Sequence, residues 1–263
     1  MKTLIISPHC DDAIFSLGGA LARGRLGTAD VCNVFTETNF SIAGAGDAAE
    51  TTARRQLEDQ AALAKVGARP VYLGLPDACL RPPYAEPESY LSPALDPLLD
   101  PVWPLASAAL LDFIARHDHD LLCFPLGLGC HIDHRIAARC GLELSSRGEA
   151  VIFYEDLPYD AARRPGAVAA HVRALAGGLE SRVLKHVDLR DKLALVCAYS
   201  SQVDEEATEI IRQTFDLHGG ERIWGGRDVL ERFFPHEEAA YNDRRPWPGR
   251  RSLKSLDTVR DGR

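Results

Sequence analysis

Short apolar runs alternate with stretches of helical spacing along the first half of the chain. Leu4-Ile5-Ile6 sits in a run that predicts a strand over Lys2–Ser7, ending in the loop Pro8–Asp12. Ile14, Phe15, Leu17, Leu21 and Ala22 then recur at helical spacing, interrupted by Gly18-Gly19. Val31–Thr36 reads as a second strand and Ser41–Ala48 as a small-residue loop. A helix follows from about Asp47 to Val66, with Leu57, Ala61 and Ala64 expected on its inner face and Gly67 at its end. Val71-Tyr72-Leu73 is the third strand. A β-α-β-α-β order predicts an α/β domain with a parallel sheet and right-handed crossovers.

The pattern breaks over residues 76–104, which hold eight of the sixteen prolines. That density excludes regular helix and central strand, and marks a long ordered loop as a lid or substrate loop. Periodicity returns with a helix over Ala106–Ala115, the strand Leu121–Pro125, the loop Leu126–Cys130 and a helix over Ile136–Leu144. Ala150–Tyr154 is a fifth strand and Val183–Val187 a further one; Arg190–Tyr199 and Asp204–Phe215 read as helices. Gly219-Gly220 and Gly225-Gly226 read as turns around Ile223-Trp224. The expected organisation is a single domain over 1–241 and a flexible, basic tail over 242–263.

Composition narrows the class. A hydrophobic fraction of 46% and a charged fraction of 26% suit a globular domain, and no apolar run approaches the ~20 residues that span a bilayer. With no visible leader, a cytoplasmic protein without membrane contact is expected. Seven irregularly spaced cysteines read as free thiols, and a net charge of −8 argues against a nucleic-acid surface. A homo-oligomer is left open.

The candidate chemistry lies at two strand ends. His9-Cys10-Asp11-Asp12 follows the first strand, and His131-Ile132-Asp133-His134 follows Leu121–Pro125, at the sheet edge where open α/β folds bind ligands. If the two clusters meet, His9, Asp12 and His134 form a three-ligand site that leaves a zinc position open to water. Asp11 is then placed to take a proton from that water, His131 to stabilise an oxyanion or protonate a leaving amine, and Asp133 to orient a histidine. These parts describe metal-assisted hydrolysis of an amide or ester. The same donors accept Fe2+ and other divalent ions. Arg55, Glu155 and Tyr159 are candidates to contact substrate. Trp103 and Trp224 are read as packing residues, and His117-Asp118-His119-Asp120 as a helix end on the opposite edge of the sheet.

Pro8-His9-Cys10-Asp11-Asp12, with the downstream Gly129-Cys130-His131-Ile132-Asp133-His134, resembles the PIG-L/LmbE family of zinc-dependent N-deacetylases. The likeness extends to Gly18-Gly19, Arg55-x-x-Glu58-Asp59-x-Ala61, Leu73-Gly74-Leu75-Pro76-Asp77, Tyr154-Glu155-Asp156-Leu157-Pro158-Tyr159 and Tyr199-Ser200-Ser201-Gln202. The resemblance implies a Rossmann-like three-layer sandwich with a mostly parallel sheet. It also implies removal of acetyl or related acyl groups from an amino-sugar conjugate, in natural-product or thiol-cofactor synthesis or on glycolipid anchors. By the same likeness His9, Asp12 and His134 are the ligands, Asp11 the base, and His131 the stabiliser of the tetrahedral intermediate. Cys10 stands where the family usually has Pro, and Ala13 where it commonly has Glu. Some members carry a tyrosine at the position of Gly129, and Tyr159 is a candidate to replace it.

Two other readings compete. A dinucleotide-binding Rossmann protein would use Glu37, at the end of the second strand, to meet a ribose. Two carboxylates in the first turn would repel a pyrophosphate. A catalytically silent glycan-binding member would not need the full set of catalytic residues found here.

Overall fold

The computed structural model describes residues 1–82, 84, 86–159, 162 and 164–237. The expected domain boundary at 241 and the tail over 242–263 lie outside the described residues. The elements run β1 (Lys2–Ser7), α1 (Asp12–Ala22), β2 (Thr28–Glu37), α2 (Ala48–Lys65), β3 (Arg69–Pro76), α3 (Pro87–Tyr90) and α4 (Trp103–Arg116). They continue with β4 (Leu121–Pro125), α5 (Ile132–Ser146), β5 (Val151–Tyr154), α6 (Pro165–Leu175), β6 (Glu180–Leu184), α7 (Leu189–Val196), α8 (Glu205–His218), β7 (Glu221–Gly225) and α9 (Arg227–Phe233).

The sheet has the order β3-β2-β1-β4-β5-β7-β6. Its first five strands are parallel, and β7 is inserted antiparallel between β5 and β6. This is the Rossmann-like, mostly parallel architecture, flanked by helices. Leu4, Ile5, Ile6, Leu121, Leu122 and Phe124 are at most 2% exposed, because helices cover both faces of the central strands. Strand order reverses between β1 and β4, so their carboxyl ends open a crevice at the topological switch point.

Three expectations need correction. The inner face of α2 carries Thr51, Arg55, Asp59, Ala62 and Leu63, while Leu57 is 66% exposed and Ala61 and Ala64 face outward. Polar groups face inward there because buried partners await them. Asp59 accepts from Asn33 Nδ2 (2.9 Å), Tyr72 Oη (3.0 Å) and Tyr199 Oη (2.8 Å). Gly219-Gly220 is a turn, but Gly225 ends a buried strand that contains Ile223-Trp224 and does not open a second turn. That strand's Glu221 and Arg222 are paired inside the fold, with Lys192 and Glu155 respectively. The strand expected over Val183–Val187 starts earlier, at Glu180, and α6 and α9 were not expected.

The proline-rich segment is pinned to the body of the fold. Tyr84 Oη donates to Asp100 Oδ2 at 2.6 Å, and Arg81 donates to the Pro76 carbonyl at 2.9 Å. It contains α3 and two short helical turns, and α4 begins at Trp103, three residues before the expected start. Pro104 is tolerated there because the first turn of a helix has no intrahelical N–H bond to lose.

Candidate metal centre

The loop after β1 is shaped by its own short polar side chain. Ser7 Oγ donates to the His9 carbonyl (2.6 Å) and accepts the Ala13 N–H (3.1 Å), which starts α1 at Asp12. After β4, left-handed backbone at Gly127 and Gly129 (φ 76° at both) turns the chain into α5. His131 becomes its N-cap, its Nδ1 accepting the Asp133 N–H at 3.2 Å, and His134 falls in the first turn. The two clusters meet.

Three donor atoms converge. His9 Nδ1 lies 3.3 Å from Asp12 Oδ2, His134 Nε2 lies 3.3 Å from the same oxygen, and the two nitrogens are 3.3 Å apart. Zinc bonds of about 2.0–2.1 Å in tetrahedral geometry place ligand atoms about 3.3–3.4 Å from one another. The outer nitrogens of both rings are already engaged. His134 Nδ1 donates to Asp156 Oδ1 (2.7 Å) and His9 Nε2 to Asp133 Oδ2 (3.2 Å). That leaves the inner nitrogens to present lone pairs to one point, beside a carboxylate. Such an arrangement fits a divalent cation.

Electrostatics agree. Burial opposes charge on His9, yet Asp77, Asp12 and Asp133 hold its pKa well above the ordinary value. Burial alone would raise Asp12, but His134 and then His9 bring it down to about 2. The cluster therefore favours an ionised carboxylate next to positive charge. A rival grouping of His9, Asp77, His131 and Asp133 also lies close together. Asp133 cannot serve it, since Oδ2 accepts the Ala78 N–H (3.0 Å) and Oδ1 faces the Arg81 guanidinium (2.7 Å).

The remaining candidates divide. Asp11 lines the cleft with one oxygen within 4.8 Å of a donor atom of each of His9 and Asp12, and burial raises its pKa against the pull of Arg55. His131 also lines the cleft, its ring 4.8 Å from that of His9 and 5.0 Å from Tyr90. Burial and then the neighbouring His9 push its pKa down to about 3, so it is a neutral imidazole. With Nδ1 accepting the Asp133 amide, its proton resides on Nε2. Asp133 Oδ2 is the partner of His9 Nε2, at 3.2 Å.

Arg55 lines the cleft and is engaged by its acidic neighbours. It is 4% exposed, with its guanidinium 3.2 Å from Asp11 and 3.9 Å from Asp77. Its guanidinium donates to the Asp11 carboxylate. Glu155 is misplaced by the sequence reading. It points away from the cleft toward β7, where it accepts from Trp224 Nε1 (2.7 Å) and pairs with Arg222. Tyr159 does reach the centre, its hydroxyl 3.4 Å from His134 Nε2. Its ring lies over Gly129, where a Cβ would come within 2.1 Å of it.

Sequence reasoning assigned no role to Asp156, Asp77, Arg81 or Tyr90. Asp156 is fully buried and accepts both His134 Nδ1–H and the Leu128 N–H (2.9 Å). Asp77 accepts the Thr38 hydroxyl (2.9 Å) and lies 3.7 Å from His9 Nε2. Both occupy stretches that carry the family likeness, which was the available signal. His117–Asp120 is structural, with Lys2 pairing to Asp118 and donating its backbone N–H to Asp120 (2.8 Å).

The comparisons fit this geometry. The family model described as GlcNAc-PI de-N-acetylase, PIG-L, matches residues 4–145. The 2'-N-acetylparomamine deacetylase of Streptomyces fradiae is 30% identical over 242 residues, covering 86% of this chain and 81% of that protein. A teicoplanin-pathway deacetylase in complex with bog superposes with a TM-score of 0.67 at 25% identity, over 85% of this chain and 97% of the other. The zinc-inhibited form of teicoplanin deacetylase gives 0.65 at 26%, with the same coverage. With the family model spanning more than half of its length, and a deacetylase aligned along most of it, this chain belongs to the PIG-L family of de-N-acetylases.

Proposed function

We propose that the protein is a zinc-dependent amide hydrolase that removes an N-acyl group, in the simplest case acetyl, from the amine of an amino-sugar-containing small molecule. The observation that carries this reading is the 3.3 Å triangle of His9 Nδ1, Asp12 Oδ2 and His134 Nε2 at the floor of a cleft of about 360 Å³. The named relatives, a 2'-N-acetylparomamine deacetylase and a teicoplanin deacetylase, support the substrate class. Fe2+ would satisfy the same donors.

When bound, the ion lowers the pKa of a water toward ~7 and polarises the amide carbonyl. The chain's own residues then carry the protons. Asp11 accepts a proton from the attacking water, and its burial makes it more basic than an ordinary carboxylate. Arg55 fixes the carboxylate that does this. His131, neutral with its proton on Nε2, donates a hydrogen bond to the oxygen that gains negative charge. Tyr159 offers a second O–H from across the cleft. As the C–N bond breaks, the proton held by Asp11 passes to the departing amine, leaving a carboxylate product and a free amino sugar.

The test is acetate release from a panel of N-acetylglucosaminides by the zinc-loaded protein. Wild type should release acetate, and Asp11→Ala should lose at least about 100-fold in kcat, as loss of a positioned base does, while keeping its zinc. Wild-type turnover by Asp11→Ala would remove the base assignment. No turnover of any panel member by wild type would favour a silent glycan-binding protein.

A further inference from the structure

The proline-rich segment, residues 76–104, reaches the metal centre through one buried cation. Arg81 is 7% exposed, and its guanidinium joins the starts of two helices. On one side it pairs with Asp133 Oδ1 (2.7 Å) in the first turn of α5. On the other it meets Asp100 Oδ2 (3.4 Å), whose Oδ1 accepts the Val102 N–H (2.8 Å) just ahead of α4. A further bond, to the Pro76 carbonyl (2.9 Å), ties it to the end of β3. The guanidinium also lies over the Phe35 and Tyr84 rings, 5.3 and 5.6 Å from their centroids. A planar guanidinium can serve two carboxylates, a carbonyl and an aromatic face together, whereas an ammonium is a compact point charge that cannot.

Asp133 carries this anchorage to the centre. It is fully buried, and its Oδ2 faces His9 Nε2 (3.2 Å) and accepts the Ala78 N–H (3.0 Å). His9 Nδ1 is one corner of the 3.3 Å triangle. A partner on the outer nitrogen of a ligating histidine sets where its inner nitrogen points. A carboxylate turns easily about its last torsion, so its own partners decide its direction. The Asp133 partners other than His9 are Ala78 and Arg81, and both belong to the proline-rich segment.

We propose that Arg81 is a positioning residue for the metal ligand His9, acting through Asp133, so that the docked proline-rich segment sets the affinity of the centre for its ion. The proposal rests on the reading of His9, Asp12 and His134 as a metal centre. Arg81 touches neither ligand atoms nor substrate in this role.

Chelator competition measures zinc affinity for wild type, Arg81→Lys, Asp133→Asn and the double variant, with folding checked by thermal melting without zinc. Partners directly behind a metal ligand are worth about 10–100-fold in affinity, so Asp133→Asn should lose that much and Arg81→Lys, one link further out, about 5–10-fold. Beside Asp133→Asn the lysine substitution should cost less than about two-fold, because residues acting through one another are not additive. An arginine with a purely structural role would lower the melting temperature and leave zinc affinity alone. Should Arg81→Lys not fold, Asp100→Asn takes its place. That change weakens the other side of the guanidinium, and should cost about three-fold or more alone and less than about two-fold beside Asp133→Asn. Zinc affinity within about two-fold of wild type in the single variant, or an equal loss with and without Asp133, overturns the proposal. A wild-type protein that takes up no zinc would strike the metal centre itself, and this proposal with it.

Discussion

Replacing Asp156 by alanine probes how the centre is held without touching any ligand atom. The carboxylate is fully buried and makes two bonds, to His134 Nδ1–H at 2.7 Å and to the Leu128 N–H at 2.9 Å. The first bond fixes the tautomer that points the Nε2 lone pair at Asp12 and His9. Losing a partner of this kind costs about 10–100-fold in metal affinity, or roughly 1.4–2.7 kcal/mol. The second bond is a separate matter, because an orphaned buried N–H destabilises the fold by about 1–3 kcal/mol whether or not metal is present. The two effects separate in melting experiments with and without zinc. At fixed free zinc above saturation, the stabilisation that zinc confers shrinks by the affinity loss. For a domain of this size the zinc-induced gain in Tm should fall by roughly 3–10 °C relative to wild type. Chelator competition measures the affinity change directly. An Asp156→Ala protein with unchanged zinc affinity and an unchanged zinc-induced Tm gain would refute the claim that Asp156 aims His134 at the ion.

Gly129→Ala forces φ 76° on a side-chain-bearing residue and drives a methyl into the Tyr159 ring. It should lower kcat by about 10-fold or more with the metal retained, through displacement of a hydrogen-bond donor; unchanged kcat would separate Tyr159 from the reaction. Burial raises Asp59 to about 7 in the fold, above its ordinary 3.8. Between those values the folded state binds more protons than the unfolded one, so this group's contribution to stability is lost as pH rises from 4 toward 7 and is flat above. A set of Tm measurements across that range should show a shallower fall for Asp59→Asn than for wild type, and parallel curves would contradict the assignment.

Legibility followed burial pattern and pairing. Leu4-Ile5-Ile6 and Leu121–Pro125 were readable as central strands because burial on both faces demands unbroken apolar runs. The centre was readable because each half lies in the segment that leaves the carboxyl end of such a strand. What failed was inward-facing polarity. Asp59 and Arg55 belong to the inner face of α2, yet periodicity alone assigns charged positions to solvent and so placed Leu57 inside. Glu221 and Arg222 hid β7 in the same way, since their compensating charges are distant in sequence. Glu155 and Asp156 differ by one step along the extended chain after β5, and neighbouring residues face opposite sides. Asp156 therefore meets His134 while Glu155 meets Arg222, a choice that proximity to a strand end does not settle.

The central claim, that His9, Asp12 and His134 together grip one cation, is tested most directly by titrating zinc into chelator-treated protein in a calorimeter. Wild type and Cys10→Ser should each take up one tightly held ion per chain, and His9→Ala, Asp12→Ala and His134→Ala should each lose that binding. Tight binding that survives any of those three substitutions, or that disappears with Cys10→Ser alone, would contradict it.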